Sequence, residues 1–389
     1  MPQRRLKVLQ LVSSLTVGGA EQIVLTLAER VDAQRFETHV CSLSVVGKNA
    51  LQTAFEQLQI PLLLLNSHRF YELQTIQQVR QYARQQQIDL IHTHLTNADI
   101  IGRFVGRSLG IPVLSTMHNM PHNYARQRRD RYWLQRLTAR VLATQLVAVS
   151  PKIRSLYVQQ WHIPPQRISA VYNSVRMEPF LAVPSGIRAE REYTGPIITN
   201  VARFNPQKAQ HILLAAAPAV LEEFPQAHFL LVGKGHLEQQ LRQQVADLGI
   251  ADQVIFTGVR HDIPAVLAQS DVFVLSSQWE GVPLSVIEAM AAARAVLVTD
   301  VGGNAELVED GRSGLVVSPD NVAALADGLL TLLRDEEKRL ALGETARQRV
   351  QHLFSTERFI KQYESLYAAL GHRLSANGHQ PLPMEEATL

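Results

Sequence analysis

The chain of 389 residues has a single cysteine, Cys41. That excludes an internal disulfide framework and a cysteine-built zinc site, and it fits a reducing compartment. No stretch reaches the roughly 18 consecutive apolar residues of a membrane-spanning helix. With 21 glycines and 18 prolines, the composition is neither collagen-like nor of low complexity. No internal repeat is visible at a period of roughly 20–50 residues. The full G-x-G-x-x-G fingerprint is missing from the turn after the first strand, which disfavours a dinucleotide-dependent oxidoreductase. No two aspartates stand two residues apart.

What is present is material for two domains. The chain is 46% hydrophobic and 19% charged, and its length suits two cores of about 100–200 residues each. Its net charge of +3 hides a division. Residues 1–180 carry 21 Lys and Arg against 10 Asp and Glu, a balance of +11, whereas residues 181–389 balance at −8. A basic front half suits an anionic partner.

The first residues imitate a secretion signal, with Arg4, Arg5 and Lys7 before the apolar stretch Val8 to Leu15 and the small run Gly18-Gly19-Ala20. Gln10, Ser13 and Ser14 interrupt that stretch, which reads instead as a first buried strand. Strand-like runs then alternate with helical spacing, as in Leu73, Ile76, Val79, Tyr82 and Ala83. The pattern breaks over 178–196, an expected linker, and restarts at Ile197. It predicts an α/β chain of two doubly wound, Rossmann-like domains with parallel sheets, over residues 1–180 and 181–354. Such sheets bind ligands at the carboxyl ends of their strands, so facing sheets would hold a ligand in a cleft. Phe359, Tyr363, Leu366 and Tyr367 predict a last helix over 355–371. Residues 373–389 have no periodicity and are expected to be a disordered tail.

Three stretches carry chemistry. Gly18 and Gly19 open the first helix and suit close approach of an anion to its N-terminus, or simply a tight turn. Arg203 and Lys208, five residues apart on a loop after a strand, can converge on a diphosphate. QWEGVPLSVIEAM, residues 278–290, follows a strand. It sets Glu280 and Gly281 in a loop, Leu284 and Ser285 at a helix start with free N–H groups for a phosphate, and Glu288 one turn on, where it can accept from ribose hydroxyls.

On the Glu280-to-Glu288 run, the loop of Arg203 and Lys208, Gly18-Gly19-Ala20-Glu21 and the stretch TDVGGNAELVEDGRSGLVV at 299–317, the chain resembles the family 4 retaining glycosyltransferases of the GT-B fold over about residues 6–370. The resemblance implies a C-terminal domain that binds a nucleotide diphosphate sugar, UDP- or GDP-linked, as co-substrate. Arg203 and Lys208 would hold the diphosphate, Glu288 the ribose and Glu280 the sugar. The N-terminal domain would bind the acceptor, and the last helix would cross back to it. It also implies that His118, past a strand end, stands beside the reacting sugar. The chain departs from the family's common Asn-Gly-Val-Asp at Asn173-Ser174-Val175-Arg176. It departs again from Gly-x-Pro-Val-Val at Ala293-Arg294-Ala295-Val296-Leu297, where only packing is expected to change.

His92 and His94 share one face of a strand, but no further ligands accompany them. The aspartate pair that holds a metal in the other major glycosyltransferase fold is missing, so the expected chemistry needs no metal or other cofactor, with Arg, Lys and helix N-termini acting in its place. Pro121–Arg140 holds six arginines with Tyr124, Tyr132, Trp133 and Leu134. It can rest on anionic lipid, bind a pyrophosphate-linked lipid acceptor, or be a solvated helix. It matches no nucleic-acid-binding module. The expectation is a cytoplasmic enzyme, peripheral on the inner face of the plasma membrane, with a saccharide, lipid-linked or small-molecule acceptor. A non-catalytic sugar-nucleotide or polysaccharide binder on the same fold is the alternative.

Overall fold

The computed structural model describes residues 4–16, 18–44, 50–67, 72–121, 129–174, 176–183 and 193–375. It divides into two units, one of residues up to Asn173 joined by those from Glu357 onward, the other Ser174–Thr356. The sequence places the first boundary at 180. The structure moves it to Asn173 because the short helix Glu178–Leu181, inside the expected linker, packs on the helix Leu284–Ala291 of the second unit. The last helix, Thr356–Ser375, runs into the first three residues of the expected tail, and the rest of that tail lies outside the described residues.

The first unit is a seven-stranded parallel sheet of β1 (Leu6–Ser14), β2 (Phe36–Ser44), β3 (Leu62–Leu64), β4 (Leu90–His94), β5 (Val113–Met117), β6 (Gln145–Ala148) and β7 (Ile168–Ala170). Its order is β3-β2-β1-β4-β5-β6-β7. The stretch that imitates a secretion signal is therefore a central strand, with Val8, Leu9, Leu11 and Val12 wholly buried. Leu9, Leu11, Ile91, Ile101, Val105 and Val113 form a core between the sheet and the helix Thr96–Leu109. Burying each aliphatic side chain contributes about 1.5–3 kcal/mol. That helix lies so close to the sheet that a Cβ on Gly102 would stand 2.3 Å from Thr93 Cγ2, so only glycine fits there.

The second unit is a six-stranded parallel sheet of β8 (Ile197–Val201), β9 (His228–Val232), β10 (Val254–Gly258), β11 (Val272–Leu275), β12 (Ala295–Thr299) and β13 (Leu315–Val317), in the order β10-β9-β8-β11-β12-β13. Ile198, Phe229, Leu231, Val272, Val274 and Leu297 fill its core. In both sheets the order reverses beside the first strand, between β1 and β4 and between β8 and β11. Doubly wound sheets take ligands at such points, outside the strands' carboxyl ends.

Ala293 gives the departure from the family's glycine a backbone consequence. It ends the helix Leu284–Ala291 in the left-handed region, at φ 53°. A side chain there crowds its own backbone, which glycine avoids.

Candidate functional site

In the second unit, β8 and β11 each deliver a loop at the reversal point. The loop after β8 carries Arg203 and Lys208, and the loop after β11 carries Ser277, Glu280 and Gly281. Backbone groups hold the two together. Gln278 N–H donates to the Gln207 carbonyl (2.9 Å), Gln207 Nε2 to the Trp279 carbonyl (3.0 Å), and Ser276 Oγ to the Lys208 carbonyl (3.1 Å). The result is an ion pair between Lys208 Nζ and Glu280 Oε1 at 2.5 Å, with side chains only 16% and 5% exposed. Ser277 Oγ also donates to Glu280 Oε1 (2.6 Å), and Gln207 Nε2 reaches Oε2 (3.3 Å). Glu280 is thus a nearly buried carboxylate held by three donors.

Gly302 and Gly303 press on this loop from beyond β12. Gly303 N–H donates to the Gly281 carbonyl (2.8 Å). Gly302 has φ 57°, and a Cβ on it would stand 2.1 Å from the Glu280 carbonyl oxygen. Any other residue would displace the loop.

The helix Leu284–Ala291 starts next. Pro283 stands before it and no side chain caps it, so the amides of Leu284 and Ser285 remain available to an anion. Arg203 is exposed and pairs with no carboxylate among the described residues. Glu288, partly exposed on the same helix, also lacks a side-chain partner among them. Burial pushes its carboxyl up to about 7.

In the first unit, Gly18 and Gly19 begin the helix Gly19–Arg30. Gly18 is extended, at φ −158°, so its role is room and not a left-handed turn. The Glu21 carboxylate folds back over it, 2.5 Å from where a Cβ would be. His118 follows β5. Its Nε2 meets His94 Nδ1 at 3.1 Å. His92 and His94 lie side by side, with ring centroids 4.1 Å apart, as the period of a strand requires. Burial lowers all three, His118 to about 4, so each is neutral near pH 7. Of the helix Thr356–Ser375, Tyr367 Oη meets His92 Nδ1 (2.8 Å) and Tyr363 Oη meets Thr116 Oγ1 (3.0 Å).

Lys208, Glu280, Gly281, Leu284, Ser285 and Glu288 thus belong to one unit with Arg203, whereas Gly18, Gly19 and His118 belong to the other. Sequence reasoning missed Ser277, Gln207 and the Gly302-Gly303 pair as builders of the Glu280 loop. The glycine pair left a signal in the stretch 299–317, but the serine and glutamine left none. Among the described residues, no group of three His, Cys, Asp or Glu side chains could hold a metal ion.

The helix Arg129–Val141 has an inverted pattern. Its inner face is polar: the wholly buried Arg103 guanidinium donates to Gln135 Oε1 (3.2 Å) and Thr138 Oγ1 (3.2 Å), and Gln135 Nε2 donates to Asp99 Oδ2 (2.5 Å). Its outer face shows Trp133, Leu137 and Val141, each at least 59% exposed, at four-residue spacing. Arg136 lies over the Trp133 ring, 5.3 Å from its centre. Tyr124, Arg126 and Arg128 lie outside the described residues. No helix among the described residues is long and apolar enough to cross a membrane.

Known proteins resemble the chain over most of its length. Residues 17–178 match Glycosyltransferase Family 4, and residues 187–349 match Glycosyl transferases group 1. The Escherichia coli UDP-Gal:alpha-D-GlcNAc-diphosphoundecaprenol alpha-1,3-galactosyltransferase is 24% identical over 364 residues, 90% of this chain and 94% of its own. A Mycobacterium tuberculosis GDP-mannose-dependent mannosyltransferase acting on phosphatidylinositol monomannoside is 32% identical over 162 residues, 39% of this chain and 42% of its own. Among solved structures, HepE from Anabaena in complex with UDP-glucose has a TM-score of 0.81 at 23% identity, covering 94% of this chain and all of that one. Sucrose-phosphate synthase from Thermosynechococcus elongatus has 0.76 at 21% identity, covering 96% of this chain and all of that one.

Proposed function

The chain belongs to the family 4 glycosyltransferases of the GT-B fold, and from that premise we propose that it is a retaining, metal-independent enzyme moving a sugar from a UDP-sugar to a lipid-linked saccharide. The observation that carries the donor site is the Lys208–Glu280 pair beside the uncapped start of the helix Leu284–Ala291. Lys208, Arg203 and the amides of Leu284 and Ser285 bind the diphosphate. The same groups stabilise the charge that grows on it as it leaves, where fixed donors act most strongly. Glu288, once ionised, accepts from the ribose hydroxyls. Glu280 accepts from hydroxyls of the sugar, while its bond to Lys208 couples sugar position to diphosphate position. The acceptor hydroxyl attacks from the face that the diphosphate departs from, and His118 orients a sugar hydroxyl. No side chain is assigned as a covalent nucleophile.

A UDP donor draws support from the galactosyltransferase relative and the UDP-glucose complex of the fold neighbour. The galactosyltransferase's diphosphoundecaprenol-linked acceptor supports a lipid-borne one here. The helix Arg129–Val141 supports a surface for it. Trp133, Leu137 and Val141 enter the headgroup region of an anionic membrane while Arg136 and Arg140 meet its phosphates.

The test is a panel of UDP- and GDP-sugars incubated with the enzyme in EDTA, with the anomer of the released or transferred sugar read by NMR. Turnover of a UDP-sugar with its configuration kept is the expected result. GDP-sugar turnover alone, inversion, or a requirement for added metal would each overturn its part of the proposal.

A further inference from the structure

His118 is one end of a buried hydrogen-bond relay that the catalytic reading above does not use. His118 Nε2 meets His94 Nδ1 (3.1 Å), and His94 Nε2 meets Gln10 Oε1 (3.0 Å). Gln10 Nε2 donates to Tyr367 Oη (2.9 Å), and Tyr367 Oη meets His92 Nδ1 (2.8 Å). His92 Nε2 meets Thr116 Oγ1 (2.7 Å), which meets Tyr363 Oη (3.0 Å). Gln10, His92, His94 and Thr116 have no exposed surface at all, and the two tyrosines have about 1%.

The amide of Gln10 gives this relay a direction. A carbonyl oxygen only accepts, so His94 must carry its proton on Nε2. Neutral His94 then has a lone pair on Nδ1, and His118 must meet it with an N–H on Nε2. That leaves the lone pair of His118 on Nδ1, the nitrogen that no described residue engages. On the other side, Tyr367 receives the amide N–H and gives its own proton to His92 Nδ1, so His92 donates from Nε2 to Thr116. With the amide turned end for end, every proton up to His118 would move to the opposite nitrogen.

We propose that Gln10, held by Tyr367, is a positioning residue that fixes His118 as the Nε2–H tautomer and so presents Nδ1 as a hydrogen-bond acceptor to a sugar hydroxyl. The assignment of a sugar to His118 rests on the function proposed above, but the tautomer does not. Burial keeps all three rings neutral, so one proton pattern persists across the working pH range. A ring whose proton is placed in advance avoids reorganisation during the reaction.

The experiment is long-range 1H–15N spectroscopy on histidine-labelled protein, with His118→Phe identifying the His118 signals. The wild type should show His118 as one form, protonated on Nε2. Two substitutions one turn apart on the buried face of the same helix then separate relay from packing. Tyr367→Phe removes the acceptor that orients the Gln10 amide, so His118 should become a mixture of tautomers and kcat for donor turnover should fall with KM held. Tyr363→Phe removes an equally buried hydroxyl beyond His92, and the His118 tautomer should stay as in the wild type. Gln10→Met should reproduce Tyr367→Phe. A wild-type His118 protonated on Nδ1, or an equal response to both tyrosine substitutions, overturns the proposal. Undiminished turnover by His118→Phe alongside the expected tautomers would support the relay and refute the sugar-facing role of His118.

Discussion

Lys208 and Glu280, 72 residues apart in sequence, share one short ion pair at the point where the second sheet reverses its strand order. The pair makes the ammonium a poor free cation and a good reporter, because it can bind a diphosphate only while bonded to the group that would hold the sugar. Lys208→Ala should lower donor turnover by about 100-fold or more, the scale of a lost charge stabiliser. Glu280 keeps Ser277 and Gln207 as donors, so the variant should still unfold cooperatively, at a lower Tm. Transfer at the wild-type rate would remove Lys208 from the site.

With Glu288 in the proposed ribose site, donor binding should depend on pH. Its folded-state pKa is raised to about 7 by burial, so the carboxyl is largely protonated at pH 6 and ionised at pH 8. In the proposed role the ionised form accepts from the ribose hydroxyls, so KM for the donor should fall as pH rises through 7. A raised carboxyl pKa also means that folding stability from this group is lost as pH rises from the unfolded value toward the folded one. Glu288→Gln should flatten the KM profile and raise Tm at pH 8 more than at pH 5. A KM profile unchanged by the substitution would exclude the ribose role.

The outward face of the helix Arg129–Val141 should bind vesicles containing anionic lipid and not neutral ones. Leu137→Gln should weaken sedimentation with them by about tenfold, the scale of burying one leucine. Added salt should weaken it further, because the arginine contribution is screened over about 10 Å at 0.1 M. Trp133 fluorescence should shift to the blue on binding. Equal binding to neutral and anionic vesicles would rule out a role for the arginines.

The alternation of strands and helices was legible because parallel strands buried on both faces, such as Phe273–Leu275, leave unbroken apolar runs between helical stripes. The loops that carry Arg203, Lys208 and Glu280 were legible because each follows such a run. The polar network around His92 was not. Gln10 and Thr116 sit inside strands among apolar neighbours, Thr116 beside Ser115, and their partners, Tyr363 and Tyr367, lie at the other end of the chain. A helical stripe of aromatics looks apolar in sequence, and nothing in it signals that the hydroxyls are used. The helix Arg129–Val141 misled in the opposite way. Its arginines drew attention to charge, whereas the structure adds an apolar outer stripe, made possible because Arg103 reaches it from another helix.

Ala293 offers a check on backbone strain. Ala293→Gly should raise stability by about 0.5–1 kcal/mol, since relief of the left-handed penalty outweighs the added freedom of the unfolded chain. Thermal unfolding reads this as a small rise in Tm. A fall would mean that the buried methyl packs well enough to outweigh its φ of 53°.

The first unit is written in two pieces, with all of Ser174–Thr356 between them. A ribosome therefore completes the entire second unit before it makes Tyr363 and Tyr367. Until then Gln10 and His92 lack the phenols that satisfy them, and the face that Phe36 shares with Tyr367 stands open. The second unit can fold during synthesis. The first must wait for the last helix, so a nascent chain holds the unit with the Lys208–Glu280 pair in order while the unit with the histidines is unfinished.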